Sequence, residues 1–531
     1  HLSAYILILQ GLPDRAIDRL LQVIGEHPGS ADYHATLAIA YQSDGNKKEA
    51  CASYRRLLNL VPDDLGALIS LAEMNAVNGI DAKNVDIQEG VSVRMMGFFV
   101  ARSFTYFERA LAVDSSDPGV TEFGQALVRH LQQNMTSKMD AAVPDGIGRG
   151  KPKVIYPLRV IGRIGHLIIE PFLLKCLFDP EQYDIIVLTV PVEAAVSAPV
   201  FDIALRQTFP VHLTGPSPAL ELWGADCGIR VIGETTYVLE RVNELAGRVL
   251  ANMKDGKLPY KLTLNDQEKE QGLRLRTDFG IPADAPIVTL YVREQGYFPA
   301  HIHHSHRNAN VETYIPAIKY LVEQGFTVVR IGDDKMQRLP DLGPQVIDAP
   351  FHPAYDQLVE PYFVSESAFM VKTLSGPDCL SMAFGIPSVI TNFYWNAFAT
   401  QIKDDLCVPK KYYSHRYQRD LTLSEIATDK DLLFAGNAVD FTSRHIQLID
   451  NTEQEILQAT GEMVARQRGQ FEETAAYDTR FRKLCRRIHE DCKNNIYSDG
   501  HINLETDYFG PYLGGLKISH TYCDSNPDFL W

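Results

Sequence analysis

The sequence lacks any apolar run near the roughly 20 residues that a membrane-spanning helix needs. It is also short of positive charge. Against 67 Asp and Glu stand 51 Lys and Arg, a formal balance of −16 at neutral pH. That balance argues against broad nucleic-acid binding and against adsorption to an anionic membrane, while leaving room for a local basic pocket. The eight cysteines are scattered and form no CxxC pair. A zinc ribbon and a dense disulfide framework are thereby disfavoured, and a reducing cytoplasm is the expected location. What is present is ordinary for a globular protein: 45% hydrophobic and 22% charged residues over 531 positions. That length suggests roughly three domains of about 150 residues. The chain opens at His1 inside a periodic segment, so it reads as a piece of a longer protein, and a missing leader says little about location.

Residues 31–64, ADYHATLAIAYQSDGNKKEACASYRRLLNLVPDD, place Leu37, Ala38 and Tyr41 on one helical face, Gly45 in a turn, and Ala50, Tyr54 and Leu57 on a second face, with Pro62 as terminator. A shift of 34 residues puts Gly11, Ala16, Leu20, Val23 and Pro28 in the same roles. This pattern resembles the tetratricopeptide repeat, a helix–turn–helix unit of that period. A third unit starts at Leu68, Leu71 and Ala72 and reaches Gly79. An insertion then separates it from a helix over 104–114 and another from Pro118 to about Asn134. Residues 1–134 are therefore expected to form an all-α repeat solenoid, which serves as a docking appendage, an acceptor-protein groove or an oligomerisation surface. Residues 135–152 carry Gly, Pro and Lys without periodicity and read as a linker.

The next segment, 153–264, reads as a Rossmann-like half. Val154–Leu158 is a strand, and GRIGHLIIEPFLLKCL over 162–177 is a glycine turn running into an apolar helix. Further strands are expected at 184–189 and 228–232, and one long helix over 234–253. The helix start is a natural anion site. His166, whose ordinary pKa lies near neutrality, suits general-base chemistry, or it caps the helix.

The most informative stretch falls in the second half, 265–470. IVTLYVREQGYFPAHIHHSHRNANVETYIPAIKYLVEQGFTVVRIGD over 287–333 is strand, polar loop, amphipathic helix and strand. Arg293, Arg307 and Arg330 fall at strand ends or in the joining loop, where ligands of parallel sheets bind. Guanidinium groups there can grip phosphate through paired, charge-assisted hydrogen bonds. Downstream, 368–372 is a strand followed by Thr373-Leu374-Ser375-Gly376-Pro377-Asp378, a helix through Phe384, and Gly385-Ile386-Pro387-Ser388-Val389. Ser375 and Gly376 can present a hydroxyl and backbone N–H groups to a diphosphate.

Strand, SG turn, helix and GxPxV together resemble the donor-binding half of nucleotide-sugar glycosyltransferases of the two-Rossmann GT-B type. Gly165-His166-Leu167-Ile168 is similar to the start of their first half, in which the histidine deprotonates the acceptor hydroxyl. The loop His304-Ser305-His306-Arg307-Asn308, Tyr314 and the Arg330…Gly332-Asp333 strand end resemble a family of bacterial glycosyltransferases linked to surface polysaccharides. The tail from Ile518-Ser519 to Asn526-Pro527-Asp528-Phe529-Leu530, within a carboxyl-terminal helix and tail over 471–531, resembles that family's end. Repeats joined to two Rossmann halves are also similar in architecture to protein O-glycosyltransferases, the O-GlcNAc and flagellin-modifying types, although their residue motifs are not found here.

The resemblance implies a GT-B enzyme, two Rossmann-like domains facing a cleft behind the repeat solenoid. Its donor is a nucleotide sugar and its acceptor a protein or a glycan. Arg293, His304, Arg307, Asn308, Arg330, Asp333, Ser375 and Gly376 are the expected donor ligands, with His166 and Glu294 as catalytic candidates. Glu294 could equally orient Arg293. No metal or other cofactor is expected, and inversion follows if the base faces the leaving group. A sugar-nucleotide epimerase and a repeat scaffold with an inactive enzyme half are the alternatives. The HxHHxH run at His301, His303, His304 and His306 lacks a placed carboxylate and reads as cleft-lining rather than metal-binding. Asp429-Lys430-Asp431 matches a DxD string but sits beside a helix start and reads as structural. Phe393-Tyr394-Trp395 and Tyr412-Tyr413 read as packing.

Overall fold

The computed structural model describes residues 2–81, 106–123, 150–212, 228–249, 257–295, 302–395, 402–494 and 516–531, apart from a few positions inside those spans. The chain divides into two compact units, one of residues 1–159 and 211–240, the other of residues 160–210 and 241–531.

The first unit opens with helices α1 Leu2–Leu9, α2 Pro13–Glu26, α3 Ala31–Ser43, α4 Lys47–Leu60 and α5 Leu65–Asp81. The sequence period is visible in their turns and cores. Gly11 and Gly45 take φ of +73° and +79°, a conformation that glycine alone adopts freely. Ala16 with Leu20 on α2 and Ala50 with Tyr54 on α4 are buried at equivalent positions. Pro13 starts α2, where a missing N–H is harmless. Asn46 caps α4 by accepting from the Glu49 N–H. Leu37 and Ala40 of α3 pack with Ala4, Leu7, Ala16 and Leu20. Ala38, Ala50, Tyr54 and Leu57 pack with Leu68 and Leu71 of α5 and with Ala110 and Val120. Each helix is thus buried by its sequence neighbours. The expected insertion after Gly79, from residue 82 on, and nearly all of the expected linker lie outside the described residues.

Strands and two helices follow: β1 Lys153–Pro157, α6 Ile164–Leu177, β2 Asp184–Thr189, α7 Ala198–Leu205, β3 Phe209–His212, β4 Gly228–Ile232 and β5 Thr235–Leu239. Within the first unit β1 runs parallel to β5, and β5 antiparallel to β4. The long helix expected over 234–253 is corrected here, because its opening residues form β5. Thr235, Thr236, Tyr237 and Val238 are β-branched or aromatic and favour a pleated strand. Pairing of Ile232 with Thr235 makes a tight hairpin with β4.

The second unit continues with α8 Asp266–Asp278, opened by a capping box between Asn265 and Glu268. Then follow β6 Ile287–Tyr291, α9 Ile315–Glu323, β7 Thr327–Arg330, β8 Val346–Asp348, α10 Val359–Ser365, β9 Ser367–Lys372, α11 Cys379–Phe384, β10 Ser388–Phe393 and β11 Leu406–Pro409. A small antiparallel sheet and closing helices come last: β12 Lys411–Ser414, β13 Arg419–Asp420, α12 Leu423–Thr428, α13 Ala438–Ser443, β14 Ile446–Ile449, α14 Glu453–Gln467, α15 Ala475–Asn494, β15 Lys517–Ile518 and α16 His520–Ser525. The main sheet has seven strands in the order β15-β11-β10-β9-β6-β7-β8, paired in parallel. All five residues of β6 are buried, as a parallel sheet covered on both faces requires. The strand order reverses between β6 and β9. That is the topological switch point of a doubly wound sheet, where a crevice opens beyond the carboxyl ends of the strands. Among the described residues no helix is long and apolar enough to cross a membrane.

Candidate functional site

The crevice is built from the residues that follow β6 and β9. The two strand ends are tied across it. The Thr373 N–H donates to the Tyr291 carbonyl at 3.0 Å, and the Arg293 N–H donates to Thr373 Oγ1 at 2.8 Å. The Arg293 guanidinium donates to the His304 carbonyl at 3.0 Å and to the Asn308 side-chain oxygen, so it braces the loop that carries Arg307. Arg307 reaches the other strand end and donates to the Leu374 carbonyl at 3.2 Å. Among the described residues its buried Nε has no hydrogen-bond partner. Burial, and then the positive charge of Arg307, push the Arg293 pKa down. Two half-buried guanidiniums that repel one another have the chemistry to pair with an anion.

The turn after β9 supplies the other wall. Asp378 is buried, which pushes its carboxyl up to about 6, against the pull of Lys372 and, more weakly, Arg307. Its Oδ2 has no partner among the described residues. Burial likewise raises the Tyr291 hydroxyl to about 12, opposed by a hydrogen bond with Ser375. The turn ends in α11, whose last residue is followed by Gly385 at φ +71°, the left-handed cap that lets the chain re-enter the sheet as β10.

Gly165 at the start of α6 lies directly on Gly376. A Cβ added to Gly165 would come within 2.8 Å of the Gly376 Cα, and one on Gly376 within 3.1 Å of the Gly165 nitrogen. Only paired glycines permit that backbone contact. It brings the first turn of α6 against the Ser375-Gly376 turn. His166, the next residue, holds its Nδ1 2.6 Å from Glu170 Oε1 one helical turn on. Glu170 is buried, whereas the imidazole is about a third exposed. A carboxylate on Nδ1 fixes the tautomer and leaves Nε2 to accept a proton. Glu170 was not singled out in the sequence, although the HxxxE spacing on one helix face was there to be read.

The remaining candidates divide. Arg330 is fully buried and committed inside the protein. It donates to Glu294 Oε2 at 3.0 Å, Asp348 Oδ1 at 3.1 Å and the Gln337 carbonyl at 2.6 Å. Glu294, which also accepts from the Gln337 N–H at 2.9 Å, orients Arg330 rather than the adjacent Arg293. Asp333 accepts from the Lys335 N–H at 2.9 Å in the loop after β7. His304 meets Arg293 through its carbonyl, and its ring lies 6.2 Å from that of His306. His306 is buried between Tyr394 and Phe441. The side chains of His301 and His303 lie outside the described residues. Among the described residues no three His, Cys, Asp or Glu side chains converge as a metal site would need. Asp429 accepts from the Leu432 N–H at 3.0 Å and pairs with Arg444 at 3.2 Å, a capping role. Tyr314, Tyr394, Trp395 and Tyr412 are core side chains.

Beside the arginines opens a cleft of about 690 Å³ that Asn308, His306 and Lys410 line on one side and residues of α13 and β14 on the other.

No protein-family model and no curated protein sequence matches the chain. Among solved structures, a glycosyl transferase family 9 protein from Veillonella parvula DSM 2008 superposes with a TM-score of 0.32 at 10% identity, covering 59% of this chain and 97% of that one. A Thermobaculum terrenum O-GlcNAc transferase mutant superposes with a TM-score of 0.24 at 12% identity, covering 99% and 96%. At these scores neither likeness carries a function over, and the functional reading rests on the chain's own residues.

Proposed function

We propose that the protein is a GT-B glycosyltransferase that moves a sugar from a nucleotide-sugar donor to a hydroxyl of a protein or glycan, with a tetratricopeptide array at its amino terminus. The observation that carries this is the Gly165–Gly376 backbone contact. It sets the His166–Glu170 pair beside the turn to which Arg307 donates, at the switch point of a parallel sheet. The donor diphosphate would lie against Arg293, Arg307 and the Ser375-Gly376 turn. The guanidiniums then stabilise negative charge as it develops on the leaving nucleotide, the task a metal performs in other transferases. His166 Nε2 takes the proton of the acceptor hydroxyl while Glu170 holds the imidazolium in place. A base on the face opposite the leaving group gives inversion. The C–O bond to the diphosphate breaks as the C–O bond to the acceptor forms, and the proton passes to His166.

The test is titration of a nucleotide-sugar panel by calorimetry. The cognate donor is expected to bind in EDTA, and Arg307→Ala to weaken it by about 1.5–3 kcal/mol, with Arg307→Lys recovering only part. Equal affinity in wild type and Arg307→Ala would move the diphosphate elsewhere. Nucleoside diphosphate release that depends on an acceptor separates transfer from epimerisation.

A further inference from the structure

The small sheet of the second unit runs β13-β12-β14, so β13 and β14 are its edges. The two edges are unlike. β13 is Arg419 and Asp420, both exposed, and charge on an edge strand discourages a further strand. β14 is Ile446-Gln447-Leu448-Ile449, with no charge and no proline. The ladder tells which of its backbone groups are free. In an antiparallel sheet successive residues turn their N–H and C=O to opposite sides. The Leu421 N–H donates to the Tyr412 carbonyl at 2.9 Å, so Tyr412 and Ser414 face β13. The His415 N–H donates to the His445 carbonyl at 2.9 Å, so the pairs that bond across to β14 are His415 with His445, Tyr413 with Gln447 and Lys411 with Ile449. Ile446 and Leu448 therefore point their N–H and C=O away from β12. Among the described residues nothing bonds to them on that side.

The space beside this edge is already shaped. Ile446, Gln447 and Leu448 all line the cleft of about 690 Å³. Successive side chains of a strand leave on opposite faces. Three in a row can line one cavity only where it runs along the strand's edge. The facing wall comes from the loop that holds Ser305, Asn308 and Asn310. That wall bars the approach of a whole second sheet and admits a single extended chain. We infer that the outer edge of β14 seats one extended peptide segment, which joins the small sheet as a fourth strand. Main-chain hydrogen bonds carry the recognition. The peptide's side chains alternate between the inner face, shared with Ile446 and Leu448, and the exposed face, shared with Gln447 and Ile449. Its paired positions exclude proline, and its inward side chains are uncharged to suit Ile446 and Leu448. The inference does not depend on the proposed transfer reaction.

The test uses the full chain and a library of fluorescent peptides of about seven residues, a little longer than a usual strand, with alternate positions varied over uncharged side chains. At least one peptide is expected to bind. Methylating its backbone nitrogens one at a time should weaken binding about tenfold at every second position and little between. Contact through side chains alone would not give that period. Amide hydrogen exchange on the unaltered protein gives a second readout. Ile446 and Leu448 should exchange quickly in the free protein and about tenfold more slowly with peptide bound, while Gln447 and Ile449, bonded to β12, are slow throughout. Leu448→Pro removes one outward donor and spares the β12 ladder, as proline does on an edge strand. The folded variant should bind about tenfold more weakly, and if it does not fold, methylation and exchange decide alone. No binding across the library, methylation effects without the two-residue period, or full-strength binding to folded Leu448→Pro overturns the inference. So does an edge already slow to exchange in the free protein, which would mean that another part of the chain or a second copy fills it. Nucleotide-sugar titration is independent of all these outcomes, so failure here leaves the proposed function standing, and failure there leaves this seat.

Discussion

At Glu170, a structural role and a positioning role differ in what the change does once His166 is gone. His166→Ala is expected to cut transfer by about 10²–10⁴-fold with little change in donor affinity. Glu170→Gln keeps the shape of the pair but removes the negative charge 2.6 Å from Nδ1. Its kcat should then fall with melting temperature and donor Kd unchanged, and the same change made in His166→Ala should cost nothing further, because Glu170 acts only through the ring. An equal loss in both backgrounds, or a lowered melting temperature, would make Glu170 merely structural. Asp378 gives a pH test. Its carboxyl titrates at about 6 within reach of Arg307. Raising the pH through that value ionises Asp378 and places a negative charge near Arg307, where the diphosphate is proposed to lie, so affinity should fall as pH rises. The ratio of wild-type Kd to that of Asp378→Asn is expected to grow about tenfold between roughly pH 5 and 8. Taking the ratio cancels the nucleotide's own ionisation, and a flat ratio would mean that Asp378 does not face the ligand. At this scale the sequence was partly legible. Arginines after strand ends could be found from spacing alone, but not the partner each would take. Arg330 and Glu294 look like site residues in sequence, but Arg330 is held by Glu294, Asp348 and the Gln337 carbonyl, a set of partners that depends on how β6, β7 and β8 lie in space.

At the scale of elements, β6, β7 and β9 were readable as short apolar runs bounded by polar residues, whereas β8, β11 and β15, only two to four residues long, left no pattern to read. The strand β5 was not readable either, because Gly-Glu before it and mixed polarity after it also suit a helix start, and only its pairing with β4 decides the matter. The contact between α6 and the turn after β9 was invisible too, since nothing in the spacing of Gly165 and Gly376 says that they touch. That contact is testable by adding one methyl group. Gly165→Ala puts a Cβ 2.8 Å from backbone that cannot swing aside, and overpacking of this kind costs about 1–3 kcal/mol. Gly376→Ala meets the Ile164 methyl at 3.0 Å and the Gly165 nitrogen at 3.1 Å, both longer than the 2.8 Å approach at Gly165, so its thermal destabilisation should be smaller. Both are expected to slow transfer by shifting His166 away from the Ser375-Gly376 turn. A Gly165→Ala protein with wild-type melting temperature and rate would mean that the two elements stand further apart in solution.

At the scale of the whole molecule, the helices of residues 1–81 and the strands β1, β4 and β5 belong to one compact unit, although a long segment of chain separates them in sequence. The composition break at 135–152 marks a change from helices to strands but not this grouping, which depends on contacts distant in sequence. In the proposed reading the amino-terminal helices are a repeat array, which usually grips a peptide or protein along its concave face, and they bear on what the proposed transferase acts on. On a protein-acceptor reading, deleting residues 1–134 should leave donor binding and slow donor hydrolysis intact and abolish transfer to the native acceptor. Because the deletion removes the helices from a unit that keeps β1, β4 and β5, circular dichroism and donor affinity must first show that the remainder folds. Restoring transfer by adding the helices in trans would confirm that they act by holding the acceptor. A folded truncation that modifies its acceptor at full rate would instead favour a glycan acceptor.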